Sequence, residues 1–357
     1  MALIAGAFAS WQLVEGKLLQ DLGRHRWTEP SSQARSMLAI RKTIGKRRRR
    51  AAILARHKVV FSEDAAEGAQ GGFPNYTLGT KRGSGTFGQV FAATIQKGSQ
   101  EEVVAIKFVH CPPSCHLVMQ EVQVMTEIAE LQAAMRDDCC LLHLLGTRKV
   151  GDDMCLMMEH CDGGDLSIRS FSESAAAGLA RQLFMALAFL HHLQWVHQDV
   201  KPANLYLKNN CLRLGDFGAA VRFGQRSSPA GSFHYMAPEI FKEEAATSKA
   251  DIWSAAMTSF FLVTGRVLLG SHPRDARLWW EKAMFYLDEI RERCPPSWPS
   301  HPLLSSFMAG VMQIEPDLRP TSLEVMRHEW LQCQLASDGR DAMATWHFNA
   351  VIPSLKH

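Results

Sequence analysis

The sequence lacks any apolar run as long as a membrane-spanning helix requires, which predicts no transmembrane segment. Its nine cysteines also lack zinc-ribbon spacing, because no matching histidine pair follows Cys111/Cys115 or Cys139/Cys140. Scattered cysteines in an odd number favour reduced thiols. The apolar N-terminus, Met1–Ala9, lacks the basic start of a secretory signal peptide. Together these absences favour an intracellular protein, in the cytoplasm or the nucleus, over a secreted one.

Acidic residues are missing from one stretch near the N-terminus. Between Arg41 and Lys58 lie nine Lys and Arg residues and no Asp or Glu, whereas the rest of the chain carries 30 basic and 36 acidic residues. The net charge of +3 therefore comes from a single segment. Its basic core, Lys46–Arg50, has three open interpretations. It fits a patch for nucleic acid or an importin-like receptor, a helix on an anionic membrane, or a charge run that is solvated or packs on the acidic remainder.

The chain is long enough for a sizeable domain and an N-terminal extension, residues 1–75. Within the extension, apolar residues at helical spacing predict an amphipathic helix over residues 11–22, and residues 33–60 could form a second, Arg-rich helix. Residues 62–73 have the composition of a linker. No internal repeat is visible.

From Tyr76 onward the pattern becomes strand-like and later helical. Strands are expected at Tyr76–Arg82, Gln89–Ile95, Glu102–Val109, Leu141–Leu145 and Cys155–Glu159. Helices are expected at Leu117–Met135, Ser174–Leu193, Lys249–Thr264, Asp275–Arg293, His301–Met312 and Ser322–Cys333. The sequence therefore predicts a small β-rich region followed by a larger helical one.

Two short strings carry the most specific chemistry. Asp199, Lys201 and Asn204 follow one another closely, and Asp216 comes twelve residues after Asn204, within Asp216-Phe217-Gly218. A carboxylate, an ammonium and an amide on one loop, followed by a second carboxylate beside a glycine, suit phosphoryl transfer. That reaction depends on charges held around a triphosphate and its magnesium.

A glycine-rich string lies upstream and ends in Val90. Its residues are Gly83, Ser84, Gly85, Thr86, Phe87 and Gly88. The same spacing occurs in dinucleotide-binding loops, but those open a helix, whereas the residues after Gly88 read as a strand. We therefore expect a hairpin whose backbone amides approach phosphate oxygens.

A lysine and an acid complete this end of the site. Lys107 closes the strand segment Val104–Lys107, where its ammonium could reach the phosphates. A buried cation needs a partner, because an unpaired one carries a large desolvation cost. Glu121 on the following helix is the favoured partner, with Glu127 and Glu130 as competitors.

The ordered series of motifs resembles the eukaryotic protein kinases over residues 76–333. The resemblance implies an α+β, bilobal protein-kinase fold, with a β-rich N-lobe (76–159), a hinge (159–164), an α-helical C-lobe (165–333) and a tail (334–357). It also implies ATP- and Mg²⁺-dependent phosphorylation of serine or threonine in protein substrates. Lys201 favours these acceptors, because tyrosine kinases usually have a different arrangement there.

The resemblance also implies roles for single residues. Asp199 would act as the base, Lys201 would neutralise the γ-phosphate, and Asn204 and Asp216 would hold magnesium. The adenine would meet a set of residues around the lobe junction: Val90 and Ala105 above it, Tyr206 below it, Met158 guarding the back pocket, and the backbones of Glu159 and Cys161 along its edge. Asp165 would bind the ribose hydroxyls.

Four further residues would support the peptide-binding side. Ser232 would bond Asp199 and Lys201, and Asp251 would accept bonds from the backbone of the catalytic loop. Glu239 would pair with Arg319.

The sequence departs from the family pattern in two places. Gln198 stands where most of the family has an arginine that pairs with a regulatory phosphate, while Ser228, with Ser227 beside it, stands where that phosphate would be. We therefore expect little dependence on phosphorylation of Ser228. In addition, there is little room for a helix between Asp165 and Ser174, which affects the entrance of the peptide groove.

Three other functions remain as alternatives. One is a pseudokinase or scaffold, although Lys107, Glu121, Asp199, Asn204 and Asp216 are all present. Another is a membrane- or nucleic-acid-tethered module that acts mainly through its basic arm. The third is a small-molecule kinase, which the peptide-docking string Gly231–Glu239 disfavours.

Overall fold

A computed structural model describes residues 74–84, 88–110, 116–134, 139–150, 153–227, 232–241, 244–269 and 300–332. The helices predicted at 11–22, 33–60 and 275–293, the linker, the basic segment and the C-terminal tail lie outside these ranges. None of the described helices is long and apolar enough to cross a membrane.

A five-stranded antiparallel sheet forms the first part of the described chain. Its strands are β1 (Tyr76–Ser84), β2 (Gln89–Lys97), β3 (Gln100–His110), β4 (Leu144–Val150) and β5 (Asp153–Glu159). They are ordered β1-β2-β3-β5-β4, with helix α1 (His116–Ala134) inserted in the chain between β3 and β4. The predicted β-rich region is thus present.

The two faces of this sheet have different neighbours. Because side chains alternate along a strand, Phe91, Ile106 and Met157, which are opposite one another in the register, share one face. They belong to a small apolar cluster of their own. The other face joins the main core, which continues into the helical region.

The second part of the described chain is mainly helical. Its helices are α2 (Glu173–His192), α3 (Pro238–Phe241), α4 (Ser248–Thr264), α5 (Pro302–Val311), α6 (Ser322–Val325) and α7 (Glu329–Gln332). Helix α2 begins after Ser172, whose side chain caps it by accepting from the backbone N–H of Ala175. It is buried along most of its length, as its alanine- and leucine-rich sequence requires.

Short strands flank the two chain segments that contain Asp199–Asn204 and Asp216–Gly218. They are β6 (Gly164–Asp165), β7 (Trp195–Val196), β8 (Leu205–Lys208), β9 (Cys211–Leu214) and β10 (Val221–Arg222). Strands β6, β8 and β9 form one small sheet, and β7 pairs with β10. The loop from β7 to β8 therefore lies beside the segment that joins β9 to β10.

Two predicted elements differ from the structure. The strand expected at Leu141–Leu145 begins only at Leu144, and Leu141 instead forms an isolated bridge with Leu214. The single helix expected at Ser322–Cys333 is two short helices, α6 and α7, so this prediction was wrong. By contrast, residues 166–172 contain no helix, in agreement with the short spacing noted in the sequence.

Candidate active site

Asp199 lies in the loop between β7 and β8 and is bonded from three sides. Its Oδ2 accepts hydrogen bonds from Lys201 Nζ at 2.6 Å and from Asn204 Nδ2 at 3.2 Å. Its Oδ1 accepts from the backbone N–H of Ser232 at 3.0 Å. Lys201 Nζ also donates to Ser232 Oγ at 3.0 Å. The structure therefore brings Lys201, Asn204 and Ser232 together around this carboxylate.

Asp251 holds the backbone on which Asp199 sits. This carboxylate is fully buried on α4, and it accepts hydrogen bonds from the backbone N–H groups of His197 at 2.8 Å and Gln198 at 2.9 Å. Gln198 has a φ of 62°, in the left-handed region that costs energy for a residue with a side chain. Asp251 therefore bonds to the backbone of this loop, as predicted, at the residue whose φ lies in the left-handed region.

His197 connects the two catalytic strings. Its Nε2 donates to the carbonyl oxygen of Gly215 at 3.1 Å, while its Nδ1 accepts from the backbone N–H of Asp199 at 3.3 Å. Its ring also packs on Phe217, with the ring centroids 5.3 Å apart. One buried imidazole thus fixes the spacing between Asp199 and the segment that carries Asp216.

Lys107 lies between two carboxylates. Its Nζ is 2.5 Å from Glu121 Oε1 and 2.9 Å from Asp216 Oδ1. Burial would lower the pKa of Lys107, but the charges of Asp216 and Glu121 outweigh it and raise the pKa above its ordinary value. Burial would raise the pKa of Asp216, but Lys107 holds it below its ordinary value. The ammonium and the Asp216 carboxylate therefore both stay charged at neutral pH.

Asn204 and Asp216 offer the oxygens that a magnesium ion would need. The hydrogen bonds from Asn204 to Asp199 both come from Nδ2, so they do not use the amide oxygen. The Asp216 side chain is 30% exposed. No group of three or more His, Cys, Asp or Glu within the described ranges could hold a metal alone. Two protein oxygens suit Mg²⁺ when nucleotide phosphates and water supply the remaining ligands.

Three of the predicted adenine-site residues share a face of the sheet with Lys107. Val90 is opposite Lys107 in the register of β2 and β3, and Ala105, two residues before Lys107, is opposite Met158 on β5. All four side chains therefore lie on the same side of the sheet.

Tyr206 lies on β8, beside Gly215. A Cβ placed on Gly215 would come within 3.2 Å of the Tyr206 ring and 2.9 Å of the Leu142 side chain. Burial raises the pKa of Tyr206 above its ordinary value, so the phenol stays neutral. A neutral aromatic side chain thus lies next to the residue that precedes Asp216.

At the lobe junction, local bonds restrict which groups could contact adenine. The backbone N–H of Glu159 donates to His143 at 3.0 Å, and the carbonyl of Cys161 accepts from Gly164 at 3.2 Å. An adenine contact would therefore use the carbonyl of Glu159 and the N–H of Cys161. Burial raises the pKa of the Cys161 thiol to about 12, which keeps it protonated and unreactive near neutral pH.

Two acidic side chains at the lobe junction, those of Glu159 and Asp165, have polar partners. The Glu159 carboxylate pairs with Lys208 Nζ at 2.8 Å and with Arg213 Nε at 3.0 Å. Asp165 accepts a hydrogen bond through Oδ1 from the backbone N–H of Ser167 at 2.9 Å. Both contacts fix the chain between β5 and β6.

The glycine-rich string lies in the β1–β2 hairpin, as expected. Gly83 is opposite Val90, and Ser84 is opposite Gln89. Gly88 is required by packing, because a Cβ there would overlap the carbonyl oxygen of Phe108. Gly85, Thr86 and Phe87, which follow Ser84 in sequence, lie outside the described residues.

The remaining residues are those that the sequence assigned to peptide docking and to the activation segment. The Arg319 guanidinium forms a buried two-bond pair with Glu239, at 2.6 and 2.8 Å. Gln198 Nε2 donates to Ser227 Oγ at 2.9 Å, and both side chains are buried. Ser228 lies outside the described residues.

Sequence reasoning missed one group of contacts. Glu127 had appeared only as a competitor for Lys107, but it instead contacts Trp195 and Arg222. These two residues come from β7 and β10, far from Glu127 along the chain, and no local pattern identifies them.

Comparison with known proteins gives a consistent result. A family model for the protein kinase domain matches residues 76–331. Mitogen-activated protein kinase kinase kinase 2 of Arabidopsis thaliana is 27% identical over 76% of this chain and 43% of its own length. Serine/threonine-protein kinase Nek11 of Homo sapiens is 27% identical over 73% of this chain and 41% of its own. Serine/threonine-protein kinase hippo of Drosophila melanogaster is 27% identical over 71% of this chain and 37% of its own length. The chain spans less than half the length of each of these relatives.

Proposed function

Because this chain belongs to the protein kinase domain family, we propose that it transfers the γ-phosphate of ATP to serine and threonine hydroxyls of protein substrates. The observation that carries the proposal is the pair of charged groups at the centre of the fold. Lys107 lies between Glu121 and Asp216, and Asp199 is oriented by Lys201, Asn204 and Ser232. The kinase domain would extend over residues 76–333, with residues 1–75 as an extension.

On this proposal, Asp199 receives the proton of the acceptor hydroxyl. General base catalysis needs a positioned acceptor, and the three bonds to Asp199 position its carboxylate. Lys201, 2.6 Å from Asp199 Oδ2, can place positive charge beside the phosphoryl group as charge spreads over its oxygens. The bond from Lys201 to Ser232 keeps this ammonium near the peptide-docking segment.

Lys107 would contact the α- and β-phosphates, and Glu121 would hold Lys107 in place. Asn204 and Asp216 would hold Mg²⁺, which neutralises charge on the β- and γ-phosphates when bound. The Lys107–Asp216 bond at 2.9 Å keeps the phosphate-binding and metal-binding groups at a fixed separation. The hairpin containing Gly83, Ser84, Gly85, Thr86, Phe87 and Gly88 would cover the phosphates.

The adenine would lie between the sheet and β8. Val90 and Ala105 share the sheet face with Lys107, and Tyr206 lies beside Gly215 on the opposite side. Met158 would limit the depth of this pocket, and Asp165 would bind the ribose. The backbones of Glu159 and Cys161 would contact the purine edge.

The acceptor preference gives a direct test. With Mg-ATP, peptide pools that contain a single serine or threonine should be phosphorylated, while pools with a single tyrosine should not. The expectation rests on the family resemblance, in which a lysine at the position of Lys201 favours serine and threonine; here Lys201 bonds to Asp199 and Ser232. Phosphoamino-acid analysis of the products measures this, and phosphotyrosine as the main product would contradict the proposed acceptor class.

The pseudokinase alternative finds less support than an active enzyme. Every one of Lys107, Glu121, Asp199, Asn204 and Asp216 is present, and they form the bonded groups described above. The basic segment, residues 41–58, lies outside the described residues, so an anionic partner for it stays a sequence prediction.

We also propose that the activity depends little on phosphorylation of the activation segment. Gln198 is uncharged, and its amide already donates to Ser227 Oγ at 2.9 Å. With 8% and 4% of their surfaces exposed, Gln198 and Ser227 leave little space for a phosphate between them. A neutral hydrogen bond thus stands where the family resemblance implies an arginine–phosphate pair.

Substitution of two adjacent serines tests this. Ser228→Ala should leave kcat within about twofold, a change of ~0.4 kcal/mol in the barrier, because Gln198 has no positive charge to pair with a phosphate on Ser228. Ser227→Ala should cost more, because it leaves a buried amide donor of Gln198 unpaired. Both are measured by steady-state kinetics on a single-serine peptide. Loss of most activity in Ser228→Ala, restored by Ser228→Glu, would contradict the proposal.

A further inference from the structure

Helix α1 carries the acid that pairs with Lys107, so its orientation controls the catalytic pair. Glu121 Oε1 is 2.5 Å from Lys107 Nζ, and both side chains are buried. A single ion pair fixes one point on a helix but leaves rotation about that point possible. A second fixed point, at another height and on another face, would remove this freedom.

Glu127 supplies such a second point. It is six residues after Glu121, which corresponds to about 9 Å along the helix axis and about 120° around it. Its Oε1 is 2.5 Å from Arg222 Nη2, and its Oε2 accepts from Trp195 Nε1 at 2.8 Å. The guanidinium of Arg222 also lies over the Trp195 ring, 4.1 Å from its centroid. We call these three residues the Glu127 cluster.

The partners of Glu127 lie next to both catalytic strings. Trp195 and Arg222 are opposite each other in the β7–β10 pair. Trp195 is two residues before His197, which bonds Asp199, whereas Arg222 follows the segment that begins at Asp216. The Glu127 cluster therefore joins the helix that carries Glu121 to both loops of the site.

Arg222 is itself held by further bonds. Its Nη1 donates to the carbonyl oxygen of Leu193 at 2.7 Å, at the end of α2. Its backbone N–H donates to Gln225 Oε1 at 3.1 Å, and the same oxygen accepts from Gln120 Nε2 on α1 at 3.5 Å. The guanidinium that Glu127 contacts is thus also bonded to the C-terminal end of α2.

From these contacts we propose that Glu127 is a positioning residue, which holds α1, through Trp195 and Arg222, in the orientation that pairs Glu121 with Lys107. The inference rests on the proposed kinase activity and assigns Glu127 no contact with the substrate. Within this cluster, Arg222 neutralises the negative charge of Glu127. Together with the neutral Gln198–Ser227 bond, the cluster lets the active arrangement persist without a phosphate on the activation segment.

The test compares Glu127→Gln in two backgrounds. In the otherwise wild-type chain, Glu127→Gln should lower kcat on the order of tenfold, a usual size for coupling between two sites. In a chain that already carries Glu121→Gln, it should lower kcat by less than about twofold, because residues acting through one shared contact are not additive. Glu130→Gln is the matched control, since Glu130 is an exposed acid on the same helix. It should leave kcat unchanged in both backgrounds.

Two results would overturn the proposal. Equal losses with and without Glu121→Gln would mean that Glu127 acts independently of the catalytic pair. No loss in the wild-type background would mean that the cluster does not control α1. If Glu127→Gln proves too unstable to assay, Arg222→Lys replaces it. That change keeps the charge but removes the planar group over Trp195, and the same two-background comparison applies.

A second readout separates this proposal from the proposed function. Amide hydrogen exchange within α1 should be faster in Glu127→Gln than in Glu130→Gln, whether or not the protein transfers phosphate. A wild-type protein without transferase activity would defeat the proposed function alone. Unchanged exchange in α1 would defeat the positioning role alone.

Discussion

Asp199→Asn should lower kcat by about 10² to 10⁴, the usual contribution of a general base. The amide nearly keeps the shape of the carboxylate but cannot take a proton from the acceptor hydroxyl. It also changes the hydrogen bonds, since Asp199 accepts from Lys201 and Asn204 through one oxygen and from Ser232 through the other. With the amide oxygen facing Lys201, the amide nitrogen would face the N–H of Ser232, and that bond would be lost.

The binding of ATP should change little in this variant. Lys107, Asp216 and the sheet face, which are proposed to contact Mg-ATP, do not bond to the Asp199 side chain in the described contacts. Asn204, proposed to hold Mg²⁺, bonds to that side chain through Nδ2, which leaves its amide oxygen for the metal. Steady-state kinetics gives kcat, and isothermal titration calorimetry gives the dissociation constant for Mg-ATP. Asp317→Asn makes the same chemical change at an exposed position and should leave both values unchanged. A variant that keeps its kcat would show that Asp199 is not the base.

Arg319→Ala should have the largest effect on stability, about 3–5 kcal/mol, the usual cost of removing one partner of a buried ion pair. Arg319 is 1% exposed, and its guanidinium bonds both oxygens of Glu239. It also donates to three backbone carbonyls, those of Gln313, Lys249 and Ile314. All five N–H donors of the group are thus used. The substitution leaves the buried Glu239 carboxylate without its counter-ion.

Urea unfolding measures this effect, and a parallel thermal transition should fall by roughly 6–20 °C. Arg319→Lys should lie between wild type and Arg319→Ala, because an ammonium keeps the charge but cannot reach all five acceptors. Arg327→Ala is the control. Arg327 is exposed and comes eight residues after Arg319, so its loss should change stability little. If Arg319→Ala were no less stable than Arg327→Ala, the buried pair would not stabilise the fold.

The sequence predicts the fold class and the order of the charged site residues, but not every element boundary. Phosphoryl transfer needs charged groups of defined type in a defined order, so Asp199, Lys201, Asn204 and Asp216 are recognisable as a series. A buried cation needs a counter-charge, and the family resemblance favoured Glu121 over Glu127 and Glu130 as its source. The structure places Glu121 Oε1 2.5 Å from Lys107 Nζ.

Apolar runs were less informative about element boundaries. In the run Leu141–Leu145, three leucines are buried: Leu141, Leu142 and Leu144. Only the end of the run belongs to β4, and Leu141 bridges Leu214 instead. Burial makes a segment apolar without deciding its backbone conformation. Likewise, helical periodicity over Ser322–Cys333 does not reveal that the chain leaves the helix between α6 and α7.

Contacts between distant segments could not be read from the sequence at all. Glu127 contacts Trp195 and Arg222, which are 68 and 95 residues away. The bond between Gln198 and Ser227 joins residues 29 apart. Helical spacing shows which side of α1 Glu127 lies on, but only the folded chain shows what faces it. These contacts carry the proposals on regulation, whereas the motifs carry the proposal on chemistry.

The central claim is that Asp199 lies at the centre of a site that transfers phosphate to serine and threonine. It is tested most directly on a peptide array with [γ-³²P]ATP and Mg²⁺, with wild type and Asp199→Asn assayed in parallel. We expect the wild type to label serine- and threonine-containing peptides, and the variant to leave them unlabelled. Equal labelling by the two proteins would contradict the account.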